Sequence, residues 1–377
     1  MLERTDQMII GIDASALVNQ HTGIGNYISP ILETLQRTQP QLRFILYSNR
    51  PISFPKGAQT SFRVSNSNRR GPYWQNTTLL QMLHADRPDV FWGASGFLPI
   101  STPRRTATVI TLYDMVYRFA PKTMPLLSRW GRRLFQPIAA RQADRIVAIS
   151  AATASDVSAY YGRNADAIVP PVVDAAFIPA SRHEVVATLD KLQLPSRYFL
   201  SLGTLEPRKN TALLIKAYLA RRQIHTQLPC LVIAGKQGWL DEDITQMIAM
   251  GEQQGCIRHL GYVDKADLPA LYQGCDAFIM PSLYEGYGMP ILEAQLSGAA
   301  VVHGPHAAMC EASDNLGLVY GTDYAPLCQL FDDFANNTLP LTCRTRPTYT
   351  WNAEQAAQIM LKQFTLAYQA RQLRLNR

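Results

Sequence analysis

The stretch Ile279-Met-Pro-Ser-Leu-Tyr-Glu-Gly-Tyr-Gly-Met-Pro-Ile-Leu-Glu-Ala-Gln-Leu-Ser-Gly-Ala-Ala-Val-Val302 decides how the chain is built. An apolar strand ends at Met280, a loop of small and aromatic residues follows, a helix is predicted over Pro290–Ser297, and a new strand begins at Ala299. Pro290 suits the first helical position, where its missing N–H costs nothing. Gly286 and Gly288 would let the main chain approach a ligand without side-chain obstruction, and the helix N-terminus favours a phosphate. Glu285 is placed in the loop and Glu293 in the first helical turn, where carboxylates can accept hydrogen bonds from sugar hydroxyls. A plainer reading fits the same spacing: Glu293 complements the helix dipole and Glu285 is solvated.

Outward from this stretch the strand–helix alternation covers both halves. Strands are expected at Met8–Asp13, Leu42–Tyr47, Val90–Trp92, Thr108–Leu112 and Arg145–Ile149, with helices such as Asn76–His84 and Thr153–Tyr161 between them. The pattern restarts at Tyr198–Gly203 and continues through Cys230–Ala234, Ile257–Leu260, Ala277–Met280 and Ala299–Val302, separated by helices at Thr211–Arg222 and Leu268–Gly274. Short apolar strands alternating with helices imply parallel sheets covered on both faces, so two α/β domains are expected. The extended Val169-Pro-Pro-Val-Val-Asp174 connector places the boundary near residue 185. The expected division is 1–185, 186–350, and a terminal helix over 351–377. Ligands of such sheets bind beyond the carboxyl ends of the strands.

The 377 residues exceed one ordinary core. Hydrophobic content of 47% with 17% charge is that of a globular protein. No apolar run is long enough for a membrane span, and the N-terminus lacks the pattern of a signal peptide. All six cysteines lie from Cys230 onward without a C-x-x-C pair, which suits reduced thiols in a cytoplasmic protein. A net charge of +7 favours anionic partners.

The pair Glu285 and Glu293, with Gly-Tyr-Gly-Met-Pro between them, resembles the E-x7-E signature of retaining GT-B glycosyltransferases of family 4. The resemblance runs over nearly the whole chain, best over 198–216 and 257–302. It implies two Rossmann-like domains with parallel sheets facing across a cleft, an N-terminal acceptor-binding domain and a C-terminal donor domain, and a last helix crossing back to the first. It assigns Glu285 to the donor sugar and Glu293 to the nucleotide ribose, with Gly286, Tyr287, Gly288, Met289, Gly203, Thr204, Tyr262 and Val263 along the donor.

The run Gly203-Thr-Leu-Glu-Pro-Arg-Lys-Asn210 resembles the phosphate loop of bacterial family-4 mannosyltransferases. Arg208 and Lys209 then face a leaving diphosphate. As two cations at a helix start they oppose the dipole, and an anion between them would account for both. Many family members carry Arg directly after the glycine; Thr204 stands here, so Arg208 must supply that charge. Gly23-Ile-Gly25, within a loop His21–Tyr27, resembles the family's glycine loop near the donor diphosphate, although the pair alone also suits a tight turn. Val109-Ile-Thr-Leu-Tyr-Asp-Met115 resembles a strand that in the family ends in His-Asp. Tyr113 holds the histidine position and keeps a hydrogen-bond donor but no imidazole. Tyr113 and Asp114 are taken as site-lining.

Tyr117–Ala143 carries six cations and no carboxylate, with Trp130 and several leucines interleaved. Arg129, Trp130, Arg132 and Arg133 suit docking to an anionic lipid surface or acceptor; a packed helix with a solvated basic face is the alternative. No nucleic-acid-binding signature accompanies them. His303-Gly-Pro-His306 with Cys310 and Glu311 matches no zinc spacing, and Asp241-Glu-Asp243 suits a helix start rather than a metal-binding D-x-D.

Together these features imply a metal-independent hexosyltransferase without cofactor, moving mannose from GDP-mannose to a polyprenyl-diphosphate-linked or polysaccharide acceptor. It would work in the cytoplasm, at the inner face of the plasma membrane. Another nucleotide sugar such as a UDP-sugar, a sugar-nucleotide 2-epimerase, and a non-enzymatic sugar-nucleotide-binding subunit are the alternatives.

Overall fold

Met8-Ile-Ile-Gly-Ile-Asp13 becomes the central strand β1 (Ile9–Asp13) of a seven-stranded parallel sheet. Its apolar run is continuous because helices cover both faces of the sheet. With β2 (Arg43–Ser48), β3 (Thr60–Val64), β4 (Val90–Gly93), β5 (Ala107–Leu112), β6 (Arg145–Ala148) and β7 (Ala167–Ile168) the order is β3-β2-β1-β4-β5-β6-β7. A second, six-stranded parallel sheet is formed by β8 (Tyr198–Leu202), β9 (Cys230–Ala234), β10 (Ile257–Gly261), β11 (Ala277–Met280), β12 (Val301–His303) and β13 (Leu318–Val319), ordered β10-β9-β8-β11-β12-β13. Strand order reverses at β1/β4 in one sheet and at β8/β11 in the other, the switch points where open α/β sheets bind ligands. The computed structural model describes residues 8–18, 23–55, 57–69, 71–236, 238, 242–339 and 347–376.

Strands β3, β7 and β13 have no counterpart among the expected elements, being short or edge-lying. The expected Asn76–His84 helix is part of a longer irregular run: a turn at Gly71–Trp74, a π-helical stretch Gln75–Leu79, and a helix Leu80–Asp86. The chain divides into two compact units. One comprises the described residues up to Arg118, Met124–Val172 and those from Thr350 on; the other comprises Phe119–Thr123 and Val173–Tyr349. The changeover at Val172/Val173 precedes the expected position near 185. Residue 185 lies inside a helix, Arg182–Leu192, opened by a Ser181/Glu184 capping box. That helix turns Leu189 and Leu192 onto the second core, so the changeover falls inside the extended connector Val169–Asp174 itself rather than beyond it.

The terminal helix, Ala353–Leu375, is capped by Asn352 and Gln355. Phe364 lies against the Trp92 ring at 5.6 Å between centroids, and the buried Asp144 carboxylate receives Arg371 and, at 3.0 Å, Arg374. Among the described residues no helix is long and apolar enough to cross a membrane.

Candidate functional site

The loops after β8 and β11 flank the switch point of the second sheet, and there the sequence-marked charges meet. Beyond β8 the chain turns at Gly203 with φ +152, a backbone that favours glycine, and the Lys209 side chain lies over it: an added Cβ would stand 3.3 Å from Lys209 Cε. Pro207–Lys209 form a short 3-10 turn, and Asn210 follows at φ +58 before the helix Thr211–Arg222. Arg208 and Lys209 therefore stand outside that helix, which relieves the conflict with its dipole expected from the sequence. The Leu283 N–H donates to Arg208 O at 2.9 Å and joins the two loops.

The anion between the cations is Glu285 itself. Lys209 Nζ donates to Glu285 Oε1 at 2.7 Å, and Arg208 Nη1 reaches Glu285 Oε2 at 2.6 Å and the Tyr284 carbonyl at 2.9 Å. Arg208 Nη2 pairs with Glu206. Glu285 is buried. Burial works to raise its carboxyl, but the Lys209 ammonium and Arg208 guanidinium outweigh that and hold it at about 2. Two cations and two carboxylates thus form one compact network.

Gly288 adopts φ +115 as the cap of the helix Met289–Leu296, with its Cβ position 3.3 Å from Ala312 Cβ. Met289, not Pro290, is the first helical residue, and Glu293 falls in the second turn rather than the first. Glu293 is half-buried. Burial pushes its carboxyl up to about 7, with the nearby Asp174 adding to the rise; the Tyr272 hydroxyl, 3.3 Å away, and Lys265 oppose it. Lys265 and Asp174 pair with each other at 2.6 Å. Gly286 and Tyr287 continue the loop, both half-buried. Thr204 is exposed after Gly203, and Tyr262 is exposed beneath Lys236, 4.8 Å from its ring. Val263 is a core residue, so its main chain alone could meet a ligand. Tyr284 stacks on Phe119 at 5.2 Å and meets the His306 ring at 4.5 Å. His303 is buried, its Nδ1 at 2.7 Å from the Gly304 carbonyl and its Nε2 at 3.0 Å from Ser313 Oγ.

The first unit departs further from the sequence expectations. Gly23 and Gly25 lie in the first turn of the helix Gly23–Thr38 rather than in a loop; His21 and Thr22 lie outside the described residues, as does Asp241. Tyr113 offers no donor to a ligand. Its hydroxyl donates to the Ala94 carbonyl at 2.6 Å, its ring meets Tyr27 edge-on at 5.3 Å, and burial raises its phenol well above the ordinary value. Asp114 accepts from the Val116 N–H at 3.2 Å and pairs with Arg132 at 3.5 Å. Arg132 also lies over the Phe97 ring at 5.8 Å, so it turns inward and leaves the surface group to which the sequence assigned it. Exposed on that helix, Leu126–Gln142, are Leu126, Leu127 (91%), Trp130 (62%), Arg133 and Leu134; Arg129 is half-buried.

Sequence reading missed Glu206, Tyr272, Lys265 and Asp174. Glu206 stood inside the quoted phosphate-loop run; the other three come from segments whose contact only the fold creates.

Two family models match the chain: Glycosyltransferase Family 4 over residues 22–177 and Glycosyl transferases group 1 over residues 190–317. The chain is 38% identical over 178 residues to the O-antigen chain mannosyltransferase B of Escherichia coli, a match covering 46% of each protein. It is 35% identical over 170 residues to the serotype-specific mannosyltransferase WbdA of Escherichia coli, covering 43% of this chain and 20% of that one. These matches thus span less than half the length of either relative. Among solved structures, WaaG, a glycosyltransferase involved in lipopolysaccharide biosynthesis, superposes with TM-score 0.67 at 12% identity over 97% of this chain and 99% of that one. Anabaena Alr3699/HepE in complex with UDP and glucose gives 0.63 at 17% over 98% and 99%. At these identities the two structures speak for the fold.

Proposed function

This chain belongs to the group 1, family-4 glycosyltransferases of GT-B fold, and from that premise we propose that it moves mannose from GDP-mannose onto a lipid-linked or polysaccharide acceptor in cell-surface glycan assembly, with retention at the anomeric carbon. The observation that carries the proposal is the meeting of Arg208, Lys209 and Glu285 at the second sheet's switch point. The mannosyltransferase relatives support the choice of sugar.

In this reading the diphosphate settles on Arg208 and Lys209, Glu285 accepts hydrogen bonds from sugar hydroxyls, and Glu293 accepts from the ribose. The bond from the anomeric carbon to the phosphate oxygen breaks as the acceptor hydroxyl adds from the same face, and its proton passes to the departing diphosphate. Catalysis is then electrostatic, directed at charge that grows on the leaving group. The two cations take the part a divalent ion plays elsewhere.

The test is a donor panel of GDP-mannose, UDP-glucose, UDP-galactose and ADP-glucose, with the anomeric configuration of the product assigned by NMR. Transfer from GDP-mannose giving an α-mannoside is expected. A β product overturns retention, donor epimerisation without acceptor points to a 2-epimerase, and preference for another base overturns the donor assignment.

A peripheral membrane location is favoured by a separate observation. The Leu126–Gln142 helix turns Leu126, Leu127, Trp130 and Leu134 outward beside Arg133, a surface suited to anionic lipid.

A further inference from the structure

We infer that Glu206 is the fixed anchor of Arg208, a positioning residue that holds the guanidinium in place while Glu285 releases its ion pairs to the incoming donor. The inference rests on the reading that a nucleotide sugar's diphosphate occupies Arg208 and Lys209.

Without ligand, Arg208 divides its guanidinium between two carboxylates, Nη2 on Glu206 and Nη1 on Glu285 and the Tyr284 carbonyl. Lys209 is also committed to Glu285, at 2.7 Å. The side chains concerned are 9–18% exposed, so these charges interact strongly. An arriving diphosphate is like-charged with both carboxylates, and one must give ground.

The two are not equally free to do so. Glu285 is followed by Gly286 and stands three residues before the left-handed Gly288, in a loop where small rotations re-aim a side chain. It also has another use, the sugar hydroxyls. Glu206 is two residues from its partner, in extended conformation at φ −132 and ψ 152, and Pro207 between them fixes the next φ. Glu206 and Arg208 therefore move as one short turn. When Glu285 swings to the sugar, Arg208 keeps the Glu206 carboxylate on Nη2 beside the Tyr284 carbonyl on Nη1, and the charged partner that remains limits its rotamers.

This anchor has a cost that makes it detectable. A carboxylate beside the diphosphate weakens nucleotide affinity by repulsion. Removing it should tighten binding yet loosen the guanidinium in the transition state. A purely structural residue would give no such opposed pair of effects.

The experiment measures GDP and UDP affinity by calorimetry, and GDP-mannose and UDP-glucose turnover by nucleotide release, for wild type, Glu206→Gln, Glu206→Asp and Lys209→Ala. Thermal melting confirms that each variant is folded. Glu206→Gln should bind the preferred nucleotide about threefold to tenfold more tightly, while kcat falls about tenfold to a hundredfold, the scale of a small misplacement. Glu206→Asp should return affinity to near wild type and recover most of kcat, which also covers the case in which Glu206→Gln does not fold. Unchanged kcat in Glu206→Gln, or parallel losses of affinity and kcat, overturns the anchor role. Failure of the underlying reading looks different: Lys209→Ala would then bind nucleotide as wild type does, and the anchor role falls with it.

Discussion

Glu285 and Glu293 flank one loop and titrate at opposite ends of the carboxylate range, about 2 and about 7. Burial raises both; at Glu285 the Lys209 and Arg208 cations outweigh it, whereas at Glu293 the Tyr272 phenol and Lys265 oppose it too weakly and the Asp174 carboxylate adds to it. If Glu293 holds the ribose it must be ionised to accept two hydroxyls. GDP-mannose affinity should then weaken as pH falls below about 7, approaching tenfold per unit. The sugar nucleotide is the right probe because the terminal phosphate of free GDP titrates in the same range. Asp174→Asn should move the midpoint down, and an affinity that is flat from pH 8 to about 5.5 would remove Glu293 from the ribose. Stability runs the other way. A carboxyl raised by folding favours the protonated native state, so its contribution is present below the ordinary carboxylate range and lost as pH climbs through 7. Glu293→Gln should be more stable to unfolding than wild type at pH 8, by up to about 3 kcal/mol, and equally stable at pH 4. The two glutamates, Arg208 and Lys209 were legible as a local motif because each loop follows its strand directly. What ties them to Glu206 or Tyr272 was not, since side-chain pairing across a network has no period to read. Tyr113 shows the same limit: its chemistry was visible in the sequence, but its commitment to the Ala94 carbonyl required the fold.

The helix Leu126–Gln142 inverts the usual amphipathic order. Its buried positions are Gln136, Ala139 and Ala140, while Leu126, Leu127, Trp130 and Leu134 face out. Composition alone announced a basic aromatic segment, and only packing separates its arginines. Arg132 pairs with Asp114, whereas Arg133 lies over the Trp130 ring at 5.8 Å. Their substitutions should therefore diverge. Leu127→Glu combined with Trp130→Ala should abolish pelleting with phosphatidylglycerol vesicles at low salt, and Arg133→Gln should weaken it about fivefold, each basic residue near such a surface contributing about 1 kcal/mol. Arg132→Glu should instead lower the melting temperature by setting like charges together, with vesicle binding retained. Unchanged pelleting in the double variant would exclude this helix as the membrane face.

At the scale of the chain, alternation of short apolar strands and helices made the two sheets legible, because a parallel sheet needs a crossover between successive strands. The end of the first unit was marked by Pro170 and Pro171, but that the residues from Val173 to the helix Arg182–Leu192 already join the second core was not, because a connector does not say which core its flanks join. The leaving-group charge of the proposed reaction is met by Arg208 and Lys209, so transfer should persist in excess EDTA; loss of activity restored by Mg²⁺ or Mn²⁺ would show that the two cations do not suffice.

The last helix has a consequence for how the protein is made. Its Phe364 covers Trp92 on β4, and its arginines reach Asp144, yet the whole second unit is synthesised between these partners. Asp144 and Arg371 stand 227 positions apart, so at ~5–20 residues per second the partner arrives on the order of 10–50 s later. Through that interval the nascent first sheet leaves the ribosome with an indole uncovered and a carboxylate lacking both arginines. Completion of that sheet waits on synthesis of the second unit, and until the helix Ala353–Leu375 arrives the growing chain carries an apolar face that suits capture by a chaperone.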